Sequence, residues 1–179
     1  MTPNQVLNFW FAESSRPFWF AKSDEFDAQI RVQFFNAWQQ AARGELAAWR
    51  DTLQGRLAEI ILLDQFSRNL WRGSAQAFAQ DGMALVLAQE AVKQADFAEM
   101  GEAGRNFMLL PMMHSESPAV HAAAVPLFER FSSTNTLDFE MRHKAIIDRF
   151  GRYPHRNETL GRETTAEEAE FLQQEGSSF

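Results

Sequence analysis

The chain contains no cysteine. That absence removes disulfides, thiolate nucleophiles, zinc-finger sites and iron–sulfur clusters, and with them redox thiol chemistry. Positive charge is also scarce: 17 Lys and Arg stand against 24 Asp and Glu, a formal net charge of -7 with a pI near 5.1. General affinity for nucleic acid or an anionic membrane needs a basic surface, so neither is an expected partner, and any positive site must be local. No stretch approaches the roughly 20 apolar residues of a membrane span, and the opening "MTPNQVLNFWF" has no basic leader, so the expectation is a soluble, cytoplasmic protein. There is no serine elbow, P-loop, dinucleotide glycine motif or zinc-hydrolase helix. No reaction can be named from motifs, whether the protein is an enzyme stays open, and neither a cofactor nor a metal is expected.

What is present points to one all-α domain over residues 1–179. Apolar residues make up 45% of the chain and aromatics 13%, enough for a core and too many for disorder. Valine- or isoleucine-rich alternating runs bounded by hairpin turns are missing, while helical periodicity recurs throughout. Thr2 before Pro3 opens a first helix. Phe26, Ile30, Phe34 and Trp38, four apart, give a stripe on a long helix that stops at Gly44. "QGRLAEIILLDQFSRN" and "DGMALVLAQEAVKQA" are two further helices. Pro111 lies inside a buried helix, Ser117 and Pro118 open the next, and Gly151 ends "LDFEMRHKAIIDRF". A capping box from Thr164 to Glu167 starts the last helix. Short connections favour antiparallel helix pairs.

Polar residues on the apolar faces are the first candidates for chemistry. Asp64 and Arg68 share the side of Leu57, Ile60 and Ile61, which makes them either a buried structural ion pair or an arginine oriented toward a ligand with Asn69 beside it. His143 lies in a stripe with Phe139, Ile146, Ile147 and Phe150, the place of a satisfied core histidine. His114 sits where an apolar helix meets the loop "SES", close to Glu116, and can cap the helix or do acid–base work in a cleft.

The stretch "RFGRYPHRNETLGR", Arg149 to Arg162, is the most specific feature. Between Arg142 and Arg162 there are six Lys or Arg and two acids, Asp148 and Glu158, in an otherwise acidic chain. Glycine, proline, asparagine and an aromatic interleave with the arginines, as in an ordered loop that holds guanidinium forks in place. An anion site is the favoured reading, with Arg68, Arg152, Arg156 and Arg162 holding a carboxylate or phosphate, Asn157 nearby, and His114 and His155 as proton-transfer candidates. A helical scaffold that receives an acidic peptide is the alternative. A third possibility is that the arginines lock the fold by bonding helix C-terminal carbonyls.

"VLNFWF", "WFAKSDEFD", "GRLAEIILLDQFSRNLWRG", "LLPMMHSES" and "HKAIIDRFGRYPHRNETLGRETTAEEAEFL" resemble successive blocks of the bacterial family called domain of unknown function 924. The resemblance spans nearly the whole chain. It implies a compact helical fold similar to tetratricopeptide-repeat proteins, and it brings no activity. Its blocks group Asp64, Gln65, Arg68, Asn69, Arg72 and Gly73, then His114, Ser115 and Glu116, then Arg149 to Arg162. Ser67 departs from the family pattern, which usually has proline there.

Overall fold

The computed structural model describes residues 1–179, and every regular element in it is helical. Helix α1 (Pro3–Trp10) begins with proline at its first position, and the Gln5 side chain accepts from the Thr2 backbone N–H at 2.8 Å. Helix α2 (Asp24–Ala42) is capped by Ser23, whose hydroxyl accepts from the Phe26 N–H. Three acids in its first turn, Asp24, Glu25 and Asp27, suit the positive end of the helix dipole.

A continuous run follows from Leu53 to Leu70. It is α-helical over Leu53–Ile60 (α3), widens to a π-helical turn over Ile61–Phe66, and closes as α4 (Ser67–Leu70). All six residues of the wide turn are buried. Ser67 stands just beyond it, and its hydroxyl donates to the Leu63 carbonyl at 2.5 Å while accepting from Trp38 Nε1 at 2.8 Å. At the start of this run, Gly55 lies so close to the preceding turn that a Cβ would sit 1.8 Å from the Trp49 carbonyl oxygen. Only glycine fits there.

Helices α5 (Asp81–Ala91), α6 (Glu102–Met113), α7 (Pro118–Phe131) and α8 (Thr134–Phe150) complete the body, α5 packed on α3 and the wide turn and each of the others on its predecessor. Pro111 is inside α6 and buried. Gly151 ends α8 with φ +68°, the left-handed conformation that lets its N–H reach the Ile147 carbonyl. A 3₁₀ turn (Pro154–Arg156) and α9 (Ala166–Phe171) form the tail.

One core of 30 buried residues joins α1 to α7, with the ring of Trp10 5.4 Å from Phe107 and 5.5 Å from Phe66. A smaller cluster, Ile146, Ile147 and Tyr153 with Phe150 and Phe171 against it, fastens the tail. Tyr153 is fully buried there, its hydroxyl donating to the Met113 carbonyl at 2.5 Å.

Two sequence expectations need correction. The last helix is capped by Thr165, which accepts from the Glu168 N–H at 3.2 Å while Glu168 accepts from the Thr165 N–H at 2.8 Å, so the capping box lies one residue later than Thr164 to Glu167. The reason is tertiary: this register buries the Glu168 carboxylate against Arg152 and Asn157. Phe139 is 45% exposed and stands outside the stripe of His143. It precedes the part of α8 that the tail covers.

Candidate functional site

The element junctions nearest the tail enclose a cleft of about 300 Å³. Its walls are the 3₁₀ turn Ala75–Phe78, the start of α5, the end of α6 and the tail loop. Ala75, Phe78, Ala79, Leu85, Pro111 and Leu160 make the apolar side, and Asp81, His114, Ser115, Glu116 and Arg156 the polar one. The volume matches the lower end of small-molecule sites.

His114 ends α6, and its Nδ1 lies 2.7 Å from Oδ1 of Asp64 in the π-helical turn. Asp64 is fully buried and also accepts from Gln65 Nε2 at 2.5 Å. Burial alone would raise its pKa, but Arg68, His114 and these hydrogen bonds outweigh burial and hold it below the usual carboxylate range. Burial pushes His114 below the ordinary imidazole value, and the repulsion of Arg68 adds to it against the pull of Asp64. The pair is therefore an anionic carboxylate and a neutral ring that donates from Nδ1. Nε2 has no hydrogen-bond partner within the protein and is not fully buried, and the residue lines the cleft.

Arg68 and Asp64 meet, though not as an isolated pair. The Arg68 Nη1 lies 3.2 Å from Oδ1 of Asp64 and donates to its backbone carbonyl at 2.7 Å, while the two-pronged bond of Arg68 goes to Asp81, 3.0 Å on each oxygen. Asp81 thus holds Arg68 from one side and receives Arg156 from the other, 3.3 Å from Nη1 to Oδ2.

Arg156 is the unusual member. It is 5% exposed, and that 3.3 Å contact is the sole hydrogen bond of its side chain. Its Nε is buried without a partner. The guanidinium is clamped between Phe78 and Tyr153, 4.6 Å from each ring centre. Such a sandwich fixes the plane of the fork and supplies some cation–π stabilisation. Burial and the nearby Arg68 lower its pKa from the usual guanidinium value.

The remaining candidates are deployed elsewhere. Glu116 lines the cleft, but its oxygens are occupied by Arg162 at 2.6 and 3.0 Å and by the Tyr153 N–H at 2.7 Å. Burial would raise Glu116, yet the Arg162 and Tyr153 hydrogen bonds bring it below the normal carboxylate value. Arg162 also donates to Asn157 Oδ1 and the Tyr153 carbonyl. Asn157 is fully buried and reaches Glu168. Arg152 is fixed by both oxygens of Glu168, at 2.6 and 2.8 Å, and by the Glu163 carbonyl. These bonds, led by that of Arg152, pull Glu168 down to about 2. Asn69 faces a different neighbour, Asp27, which also holds Arg72. His155 packs between Tyr153 and Phe179 with its Nδ1 buried and unpartnered, and burial beside Arg156 lowers it to about 4. His143, donating from Nδ1 to the Phe139 carbonyl at 2.7 Å, is lowered by burial to about 3.

The structure therefore gathers His114, Glu116 and Arg156 around one cleft, with Arg68 behind Asp81 and Arg162 behind Glu116. Arg152, His155, Asn157 and Asn69 lie apart from it. Sequence reasoning passed over Phe78, and it saw Asp81 only as the start of a helix. Neither carries a local signal, since an aspartate at the first position of a helix is ordinary.

No curated protein sequence matches the chain. The solved structure titled as a protein of unknown function from Agrobacterium tumefaciens is 36% identical, covers 96% of each chain and superposes with a TM-score of 0.89. The family model described as "Bacterial protein of unknown function (DUF924)" matches residues 6–176, and the chain belongs to that family.

Proposed function

We propose that the protein binds a small anion, a carboxylate or a phosphate, in the cleft between Ala75–Phe78, α5, the end of α6 and the tail. The observation that supports this reading is Arg156. A guanidinium offers five N–H donors, and a buried cation is stable only when its charge and donors are matched. Arg156 has one long bond to a carboxylate that already serves Arg68. An anion entering the cleft would supply what it lacks, and the ring clamp means that little ordering remains to be done on binding. The size of the cleft suits a small molecule better than an acidic peptide, which would need an extended groove.

The test is a thermal-shift titration of the full chain with phosphate and with small mono- and dicarboxylates at low and high salt. A ligand at a hundred times its Kd should raise the stability by about 2.7 kcal/mol, and Arg156→Met should abolish the shift. Wild type without any anion response, or the variant with an undiminished one, rejects the reading.

A further inference from the structure

We propose that the cleft is catalytic, with His114 taking a proton from the carbon beside the carbonyl of a short 2-oxo monocarboxylate whose carboxylate is held by Arg156. This rests on the anion-site reading above and adds to it a base, a substrate class and a step.

The substrate class follows from the walls. Three guanidinium groups (Arg68, Arg156, Arg162) and three carboxylates (Asp64, Asp81, Glu116) bond one another around the cleft, so their charges balance beside a neutral His114. Into such a site a single negative charge is admitted at less cost than the two of a phosphate dianion. Arg156 is the cation of the three with the most donors to spare. Ala79, Leu85, Pro111 and Leu160, which also line the cleft, would take an apolar side chain of a few carbons, a fit to the cleft's 300 Å³.

The step follows from the base. His114 lines the cleft and is held in one tautomer by the buried Asp64, 2.7 Å from Nδ1, with Nε2 unpartnered. A carboxylate on Nδ1 orients the ring and stabilises the imidazolium that forms when Nε2 is protonated. Abstracting a proton beside a carbonyl needs a base and a cation near the developing oxyanion, the two groups this cleft holds. The C3–H bond breaks, its proton goes to Nε2, the electron pair becomes the C2–C3 double bond, and the carbonyl oxygen takes the charge beside Arg156. Return of the proton to C3 restores the keto acid, so no co-reactant is consumed. The titratable and charged groups that act on the ring and set its basicity are Asp64, Arg68, Asp81 and His143, and Arg156 and Glu116 line the same cleft.

Proton NMR of 2-oxobutanoate and 3-methyl-2-oxobutanoate in deuterium oxide reads the step directly, as loss of the C3–H signal. The full chain should speed the exchange about 100-fold over buffer, the scale of one positioned base. Because burial keeps the ring neutral below the ordinary histidine range, the rate should hold as the pH falls through about 6.5, the ordinary imidazole value, and drop only below it. His114→Gln should lose the exchange while the 2-oxo acid still raises the Tm, and Arg156→Met should lose both. Binding without exchange in the wild type overturns the catalytic step and leaves the anion site standing. Exchange that survives in His114→Gln, or that falls away already near pH 7, overturns the assignment of the base without needing any other variant to fold. The absence of binding by either acid or by phosphate overturns both readings together.

Discussion

Arg156 and Arg162 belong to the same loop and differ in almost every respect that matters energetically. Arg162 spends its fork on both oxygens of Glu116 and adds Asn157 and the Tyr153 carbonyl, and Arg152 is met as fully by Glu168 and Glu163. Arg156 is the more buried and has the fewest partners. A loop read as one cationic enclave is thus divided into arginines that fasten the tail and one that faces a cavity. The difference is in the supply of acceptors, and it separates arginines whose forks are met by the protein from one whose fork is mostly unmet.

The largest loss is expected at the buried carboxylate beneath the cleft, Asp64. Asp64→Ala leaves the Nδ1 of His114 and the Gln65 amide without an acceptor and leaves Asp81 as the one carboxylate bonded to Arg68 and Arg156. The expected loss is about 3 to 5 kcal/mol by urea denaturation, as for breaking a buried ion pair. A loss below about 0.5 kcal/mol, the range of ordinary surface changes, would mean that the polar cluster under the cleft is not coupled to the fold.

Acid should strain the tail side next. His143 and His155, held at about 3 and about 4 by burial, stay neutral in the fold where the unfolded chain binds protons below about pH 6.5. Unfolding therefore takes up protons, and stability falls as the pH drops from about 6.5 toward those lowered values. Between pH 7 and pH 4.5 each contributes a loss of roughly 2 to 3 kcal/mol, measurable by denaturation at the two pH values. His155→Gln should flatten the slope by its share, and an unchanged slope would show that the ring is not desolvated.

The sharpest contrast comes with the smallest energies. Arg162→Ala leaves the half-buried Glu116 unpaired and should cost about 1 to 3 kcal/mol. Arg156→Met removes a poorly paired cation beside Arg68 and keeps an apolar filler between the Phe78 and Tyr153 rings, so its cost should be within about 0.5 kcal/mol, or stability should rise slightly. If the order is reversed, with Arg156 the costlier loss, the cleft arginine is structural after all.

Much of the fold was legible because its signals are local. Ser23, Ser117 and Gly151 mark helix ends by chemistry that acts within one turn, and the four-residue spacing of Phe26, Ile30 and Phe34 marks a buried face. The π-helical turn was not legible, since six successive buried residues, Asp64 and Gln65 among them, have no solvent-facing side from which a period can be counted. Two adjacent threonines followed by two adjacent glutamates permit either of two capping registers, and the choice is made by the distant Arg152. The cleft was half visible. Its arginine and histidine stand out by type, but the bond between Asp64 and His114 joins residues 50 apart in sequence, and Asp81 became a hub only when the fold brought Arg156 to it.

The wide turn at Ile61–Phe66 also acts as an angular offset. An α-helix advances about 100° per residue, and a π turn absorbs an extra residue without breaking the rod. Tightening it into a plain α-helix of the same length would rotate everything beyond it by roughly that angle against Leu57 and Ile60. Asp64 and Arg68 would then swing away from His114 and Asp81, while the length and hydrophobicity of the run stayed almost the same. The azimuth of the carboxylate, and with it the tautomer of the histidine, is set by that one surplus residue.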